Sequence, residues 1–345
     1  MEGRQPIVFV VRASVRDGLG HLVRSLGVLR ELALLHPVKL LLLGDRSGSH
    51  LIDDAQIPWD HCTSDQSAAR KLRRSGSGLV VFDTLRFDEA AFSSIPSGVT
   101  TVSLSPVFDQ MHRIAHLFHR TAVESPQWRA FSAFPKVHKG LRYAVLPPWL
   151  KRVSQRHYRE QLQEERLAVA ISMGGTDAPN RTLALLKLFG ESRSRLVLYV
   201  ALGDAYTHSY EELLACAAQN RQEIILLKSN ESMWRVLQSV SLVICAGGLT
   251  TYEAAFMGLP AINILQDARW SWLFAELSEA GACMTLPPEK DCLQKAVRRV
   301  SAMDRDRSRL LAMHMASRNL IPKNGSLRIA RKLAQIAASA EASDG

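Results

Sequence analysis

Short apolar runs of strand length alternate with stretches of helical spacing, and this alternation passes through the chain twice. In the first half, "PIVFVVRAS" is rich in β-branched residues, which predicts a strand buried on both faces of a parallel sheet. A glycine loop follows, then "HLVRSLGVLRELALL", where Leu22, Leu26, Leu29 and Ala33 recur at helical spacing. "VKLLLLG", "SGLVVFDTL" and "GVTTVSLSP" read as further strands, each ending in small or polar residues where a loop should begin. Strands alternating with helices predict a doubly wound α/β sheet whose ligand crevice lies at the carboxyl ends of the strands.

"PPWLKRVSQRHYREQLQEER" (147–166) breaks the pattern with a Pro-Pro pair and a charged, core-poor stretch, which predicts a linker with an exposed helix. The alternation then restarts. "LAVAISMGG", "SRLVLYVALG", "EIILLKS", "SLVICAGG" and "LPAINILQ" read as strands. "TLALLKLFG", "YEELLACAAQN", "SMWRVLQSV", "TTYEAAFMG" and "WSWLFAELSEAG" read as helices, and "LRIARKLAQIAASAEA" as a closing amphipathic helix. At 345 residues, two similar domains are expected, each with its own core.

A net charge of +10 favours anionic partners, but no basic tract is interleaved with aromatics and no nucleic-acid motif occurs. Nucleic acid is therefore not the expected partner. The five cysteines are scattered without Cys-x-x-Cys spacing, which argues against a disulfide framework or zinc ribbon and fits a reducing cytoplasm. No apolar run approaches the ~20 residues of a membrane span, so at most peripheral membrane contact is expected.

Three strand-to-helix junctions carry glycine: "GLGH" (Gly18, Gly20, His21), "SMGGTDAPNRT" (Gly174, Gly175, Thr176, Asp177) and "CAGGLTTYEAAFMGLP" (Gly247, Gly248, Thr250, Glu253). Glycine lets backbone N–H groups approach a phosphate, and the helix start behind it offers unpaired donors with partial positive charge. Glu253 stands one turn into its helix, where a carboxylate suits ribose hydroxyls; Thr250 with Glu253 also spells a plain capping box. No Walker or complete dinucleotide fingerprint is present. Arg24, one turn past His21, is placed to reach phosphate, and Asp17 is the nearest acid in sequence to orient the His21 ring. His112, His116 and His119 fall at helical spacing, but no acid accompanies them, so a basic helix rather than a metal site is expected. Asp304 and Asp306 read as a solvated charged face.

"GLGHLVR", "YAVLPPWL", "ISMGGTDAPNRT", "AGGLTTYEAAFMGLPAINILQ" and "NGSLRIA" occur in the order seen in one family. Over most of its length the chain resembles the UDP-sugar hydrolases of pseudaminic acid biosynthesis, relatives of the lipid II-forming N-acetylglucosaminyltransferase. The resemblance implies a GT-B fold, two Rossmann-like doubly wound domains facing a central cleft. Together with the break at the Pro-Pro stretch, the expected division is a first domain at 1–148, a linker at 149–166, the nucleotide-binding domain at 167–320, and a returning C-terminal helix with a frayed tail at 321–345. The resemblance also implies a UDP-sugar substrate, cleaved without metal or other cofactor. Gly247, Gly248, Thr250 and Glu253 would bind the nucleotide, Gly174, Gly175, Thr176 and Asp177 would line the cleft, and Gln266 would lie near the sugar. His21 would match the catalytic histidine that activates water at the anomeric carbon, releasing UDP and a free sugar.

The chain departs from the family at three places: Ser14 stands where an Asp is expected, Asp83-Thr84-Leu85 where the family has Asp-His-Tyr, and Ser105-Pro106 where it has a paired Asp-Asp. Two alternatives stay open on that account. One is a GT-B glycosyltransferase of cell-surface glycan biosynthesis, acting on an anionic or lipid-linked acceptor. The other is a non-catalytic nucleotide-sugar binding protein.

Overall fold

A computed structural model describes residues 4–15, 17–105, 108–125, 135–203, 206–228 and 235–343. The chain divides into two compact units: 1–146 together with 323–345, and 147–322.

The first unit holds a parallel sheet of β1 (Ile7–Ala13), β2 (Val38–Gly44), β3 (Trp59–Cys62), β4 (Leu79–Asp83), β5 (Thr100–Ser103), β6 (His116–His119) and β7 (Lys136–Lys139). Its order is β3-β2-β1-β4-β5-β6-β7, so the direction of winding reverses between β1 and β4. β1 is buried along nearly its whole length, as its apolar run from Ile7 to Val11 requires. Helix Gly20–Leu32 lays Leu22, Leu26, Leu29 and Leu32 onto that sheet. The closing helix Gly325–Ser343 adds Ile329, Leu333 and Ile336 to the same core. Its start is held by a backbone contact: a Cβ on Gly325 would lie 2.0 Å from the Ala144 carbonyl oxygen, so the glycine of "NGSLRIA" is required by packing.

The second unit holds a parallel sheet in the order β10-β9-β8-β11-β12-β13. Its strands are β8 (Leu167–Ser172), β9 (Leu196–Leu202), β10 (Glu223–Lys228), β11 (Leu242–Cys245), β12 (Ala261–Ile264) and β13 (Cys283–Leu286). Here the winding reverses between β8 and β11.

Several expectations are corrected. His116 and His119 lie on a strand, β6, and not on a helix with His112; Leu117 and Phe118 are buried on it, and it pairs with β5 and β7. The 147–166 stretch is not core-poor. Tyr158 of helix Gln155–Gln161 is fully buried, stacks on His314 at 4.1 Å between ring centroids, and donates to the Ser241 carbonyl at 2.6 Å. "WSWLFAELSEAG" splits into a 3-10 segment, Ala268–Phe274, and a short helix, Ala275–Glu279. The "SMWRVLQSV" helix falls partly on 229–234, outside the described residues. Among the described residues, no helix is long and apolar enough to cross a membrane.

Candidate active site

In a doubly wound sheet, adjacent loops part at the strand pair where winding reverses, which opens a crevice at the carboxyl ends. In the first unit those ends belong to β1 and β4, paired as Val11 with Asp83. The turn after β1 closes with Gly18 N–H donating to the Ser14 carbonyl at 2.8 Å, and the next helix begins at Gly20. That brings His21 against the last residue of β4. His21 Nδ1 lies 2.7 Å from Asp83 Oδ1. A carboxylate only accepts, so the Nδ1 proton faces Asp83 and the Nε2 lone pair is turned away from it.

Asp83 is the centre of a buried network. Arg24 donates to both its oxygens, through Nε at 3.0 Å and through Nη2. Ser25 Oγ donates at 2.9 Å and Ser105 Oγ at 2.7 Å. Burial by itself would raise the Asp83 pKa, but the Arg24 guanidinium and the His21 ring hold the carboxyl well below the usual range. Arg24 is consequently spent on Asp83 and Ser105, inside the protein, rather than reaching outward for phosphate as its sequence position suggested. Asp17 is likewise occupied elsewhere: it accepts from Ser14 Oγ at 2.8 Å and from Arg86 Nη2 at 3.0 Å. The acid that orients His21 is Asp83. Its sequence signal was an ionisable residue ending an otherwise apolar strand.

Two positions that depart from the family's pattern thus do other work. Ser105 belongs to the Asp83 network. Buried Thr84 accepts from Arg12 Nε at 3.2 Å and donates to the Arg86 carbonyl at 2.8 Å. Pro106 lies outside the described residues.

In the second unit the reversal point falls at β8 and β11, and the two Gly-Gly turns follow those strands. Gly248 has φ of 82°, a left-handed backbone that glycine alone adopts without strain, and a Cβ there would meet nothing within 4 Å. Helix Leu249–Met257 starts behind it, and among the described residues no side chain caps its first N–H groups. The capping-box reading of Thr250 and Glu253 is therefore not realised. Thr250 is half-buried, while Thr251 turns inward and donates to Asn263 Oδ1 at 2.8 Å. Cys245 donates to the same oxygen, and burial pushes its thiol up to about 11, leaving it inert. Glu253 is 7% exposed, and no hydrogen bond or ion pair reaches its carboxylate among the described residues. Burial pushes its pKa up to about 8.

The "GGTD" turn places Gly174 and Gly175 at the surface and Thr176 half-buried beside them. Asp177 points inward, where it accepts from the N–H groups of Arg181 at 2.9 Å and Thr182 at 2.8 Å, capping helix Arg181–Glu191. Gln266 is exposed just past β12. Asp304 pairs with Arg307 and Asp306 with Arg309, a local charge arrangement. Among the described residues, no group of three or more metal-ligating side chains occurs.

No protein-family model matches the chain. It is 20% identical over 272 residues to the uncharacterized protein MJ1062 of Methanocaldococcus jannaschii, covering 76% of this chain and 56% of that relative, so the chain spans little more than half the relative's length. Among solved structures it is similar to MurG of Acinetobacter baumannii, at 17% identity and TM-score 0.67, covering 96% of this chain and 99% of that one. It is similar to Anabaena HepE, solved with UDP and glucose, at 13% identity and TM-score 0.62, covering 97% and 100%. UDP-GlcNAc 2-epimerase of Neisseria meningitidis, bound to UDP-GlcNAc, matches at 12% identity and TM-score 0.57, covering 96% and 99%. With two parallel-sheet α/β domains and these likenesses, the chain has the GT-B fold.

Proposed function

We propose that the chain is an enzyme that cleaves a UDP-activated, amino-deoxy sugar at its anomeric carbon. The observation that carries this reading is the His21–Asp83 pair, which supplies an oriented base at the topological switch point of the first unit. The second unit binds UDP: the open amides at Leu249–Met257 take the diphosphate, and Glu253 accepts from the ribose hydroxyls. Structural neighbours solved with UDP or UDP-sugars support the nucleotide assignment.

In the step, a nucleophile's oxygen bonds to the anomeric carbon as its proton passes to His21 Nε2. The bond from that carbon to the diphosphate oxygen breaks, and its electron pair leaves on UDP. Positive helix ends stabilise the charge that develops there. With water as nucleophile the products are UDP and free sugar. A glycosyltransferase, with an acceptor hydroxyl as nucleophile, is the second reading, supported by the glycosyltransferases among the structural neighbours. Gly174, Gly175, Thr176 and Gln266 are assigned to the substrate side of the nucleotide.

Incubating purified protein with a panel of UDP- and CMP-sugars, and reading nucleotide and sugar products by mass spectrometry, tests the reading. UDP release without added acceptor supports hydrolysis; release only after adding a cell extract supports transfer. No turnover of any UDP-sugar under either condition contradicts the proposal.

A further inference from the structure

A basin of about 560 Å³ opens in the first unit around the end of β1, the start of helix Asp65–Ser75 and the loop after β4. Arg86, which lines it and pairs with Asp17, follows Asp83 by three residues. We propose that this basin binds a neutral, polyhydroxylated ring, a carbohydrate separate from the nucleotide-linked sugar.

The polar groups left unused in the basin define the ligand. Arg12 spends Nε on Thr84 and Nη2 on Asp65, leaving Nη1 free among the described residues. Among the described residues Arg86 spends only Nη2, on Asp17. The acids beside them are engaged: Asp65 accepts from Arg12 and from the Asp88 N–H, and Asp88 accepts from Gln66 and the Ala91 N–H. Glu89 has no partner among the described residues.

Gln110, on the 3-10 turn Phe108–Arg113, carries the argument further. Its side chain lines the basin and is 3% exposed, yet its buried carbonyl oxygen takes no hydrogen bond among the described residues. A buried amide without a partner costs about 1–3 kcal/mol, which a ligand group can recover. A flip of the amide exchanges its donor and acceptor ends at no steric cost.

The basin thus offers unfilled guanidinium donors, an amide of either sense and a carboxylate acceptor, beside Phe87. Hydroxyl groups, which both donate and accept, satisfy that mixture. Glu89 opposes an anionic group, and the two guanidinium groups oppose an ammonium group or a metal ion. A carbohydrate held here would serve as the accepting sugar in the transferase reading; that role rests on the function proposed above, whereas the binding site does not.

Saturation-transfer NMR on the full chain tests the site, with methyl glucoside and methyl N-acetylglucosaminide as probes, while calorimetry follows UDP. Both readouts are repeated for Gln110→Leu and for the exposed Glu89→Gln. The expected result is transfer to at least one glycoside, weakened about fivefold or more in Gln110→Leu and reduced in Glu89→Gln, with UDP affinity unchanged in both. No transfer to either glycoside, equal transfer in both variants, or displacement of the glycoside by inorganic phosphate would overturn the proposal. Glycoside binding in a protein that fails to bind UDP would support the basin and contradict the nucleotide assignment.

Discussion

His21 Nδ1 lies 2.7 Å from Oδ1 of Asp83, a carboxylate with no exposed surface. The pair joins a residue on a helix start to the end of a strand 62 positions later, and the parallel register of β1 with β4 makes the meeting possible. Arg24, Ser25 and Ser105 fix the carboxylate from its other sides, so the ring is oriented by a group that cannot itself move.

Asp83→Asn should lose both activity and stability. Breaking a buried ion pair leaves Arg24 uncompensated and costs about 3–5 kcal/mol. Turnover should fall by about a hundredfold or more as the ring loses its orientation. Because the folded pKa of Asp83 lies below its ordinary 3.8, the pair stabilises the fold above about pH 4 and is lost as pH falls below it. Denaturant unfolding of wild type and variant at pH 7 and pH 3 checks this: the difference between them should shrink at the lower pH.

Glu253 carries the opposite sign. Its folded pKa is raised from 4.5 to about 8, so between those values the folded state holds the extra proton and the group's contribution weakens as pH rises. Ribose hydroxyls donating to the ionised carboxylate reverse the preference. UDP affinity should therefore rise by up to about tenfold per pH unit between pH 6 and 8, with proton release on binding. Calorimetry in buffers of different ionisation enthalpy reads both effects. In Glu253→Gln the pH dependence should disappear and the affinity should fall.

Asp177→Ala should act on stability. Both carboxylate oxygens cap helix Arg181–Glu191, and such a cap contributes about 1–2 kcal/mol. Asp177 also has φ of 43°, a conformation alanine adopts with strain and asparagine tolerates. Thermal unfolding should rank wild type, then Asp177→Asn, then Asp177→Ala, with UDP affinity changing less than stability.

The central strands were legible because β1, β2, β4 and β11 each carry at least four consecutive apolar residues, which burial on both sheet faces demands. β3 ("WDHC") and β7 ("KVHK") escaped because sheet edges tolerate polar residues, and their pairing with β2 and β6 is a tertiary fact. The same holds for β6, whose histidines mimic helical spacing over a strand too short to show its own period. The glycine turns were visible as composition. Their common place at the two winding reversals emerged only from strand order. Sequence proximity pointed to Asp17 as the partner of His21, but Ser14 and Arg86 hold it elsewhere. Asp83 was visible as an acid at a strand end, but its pairing with His21 was concealed by distance along the chain.

The most direct test is His21→Ala, assayed for turnover of a UDP-sugar substrate and for UDP binding in the same preparation. The account predicts turnover lowered by about a hundredfold or more with UDP affinity nearly unchanged, since base and nucleotide site belong to different units. Turnover at the wild-type rate would contradict it.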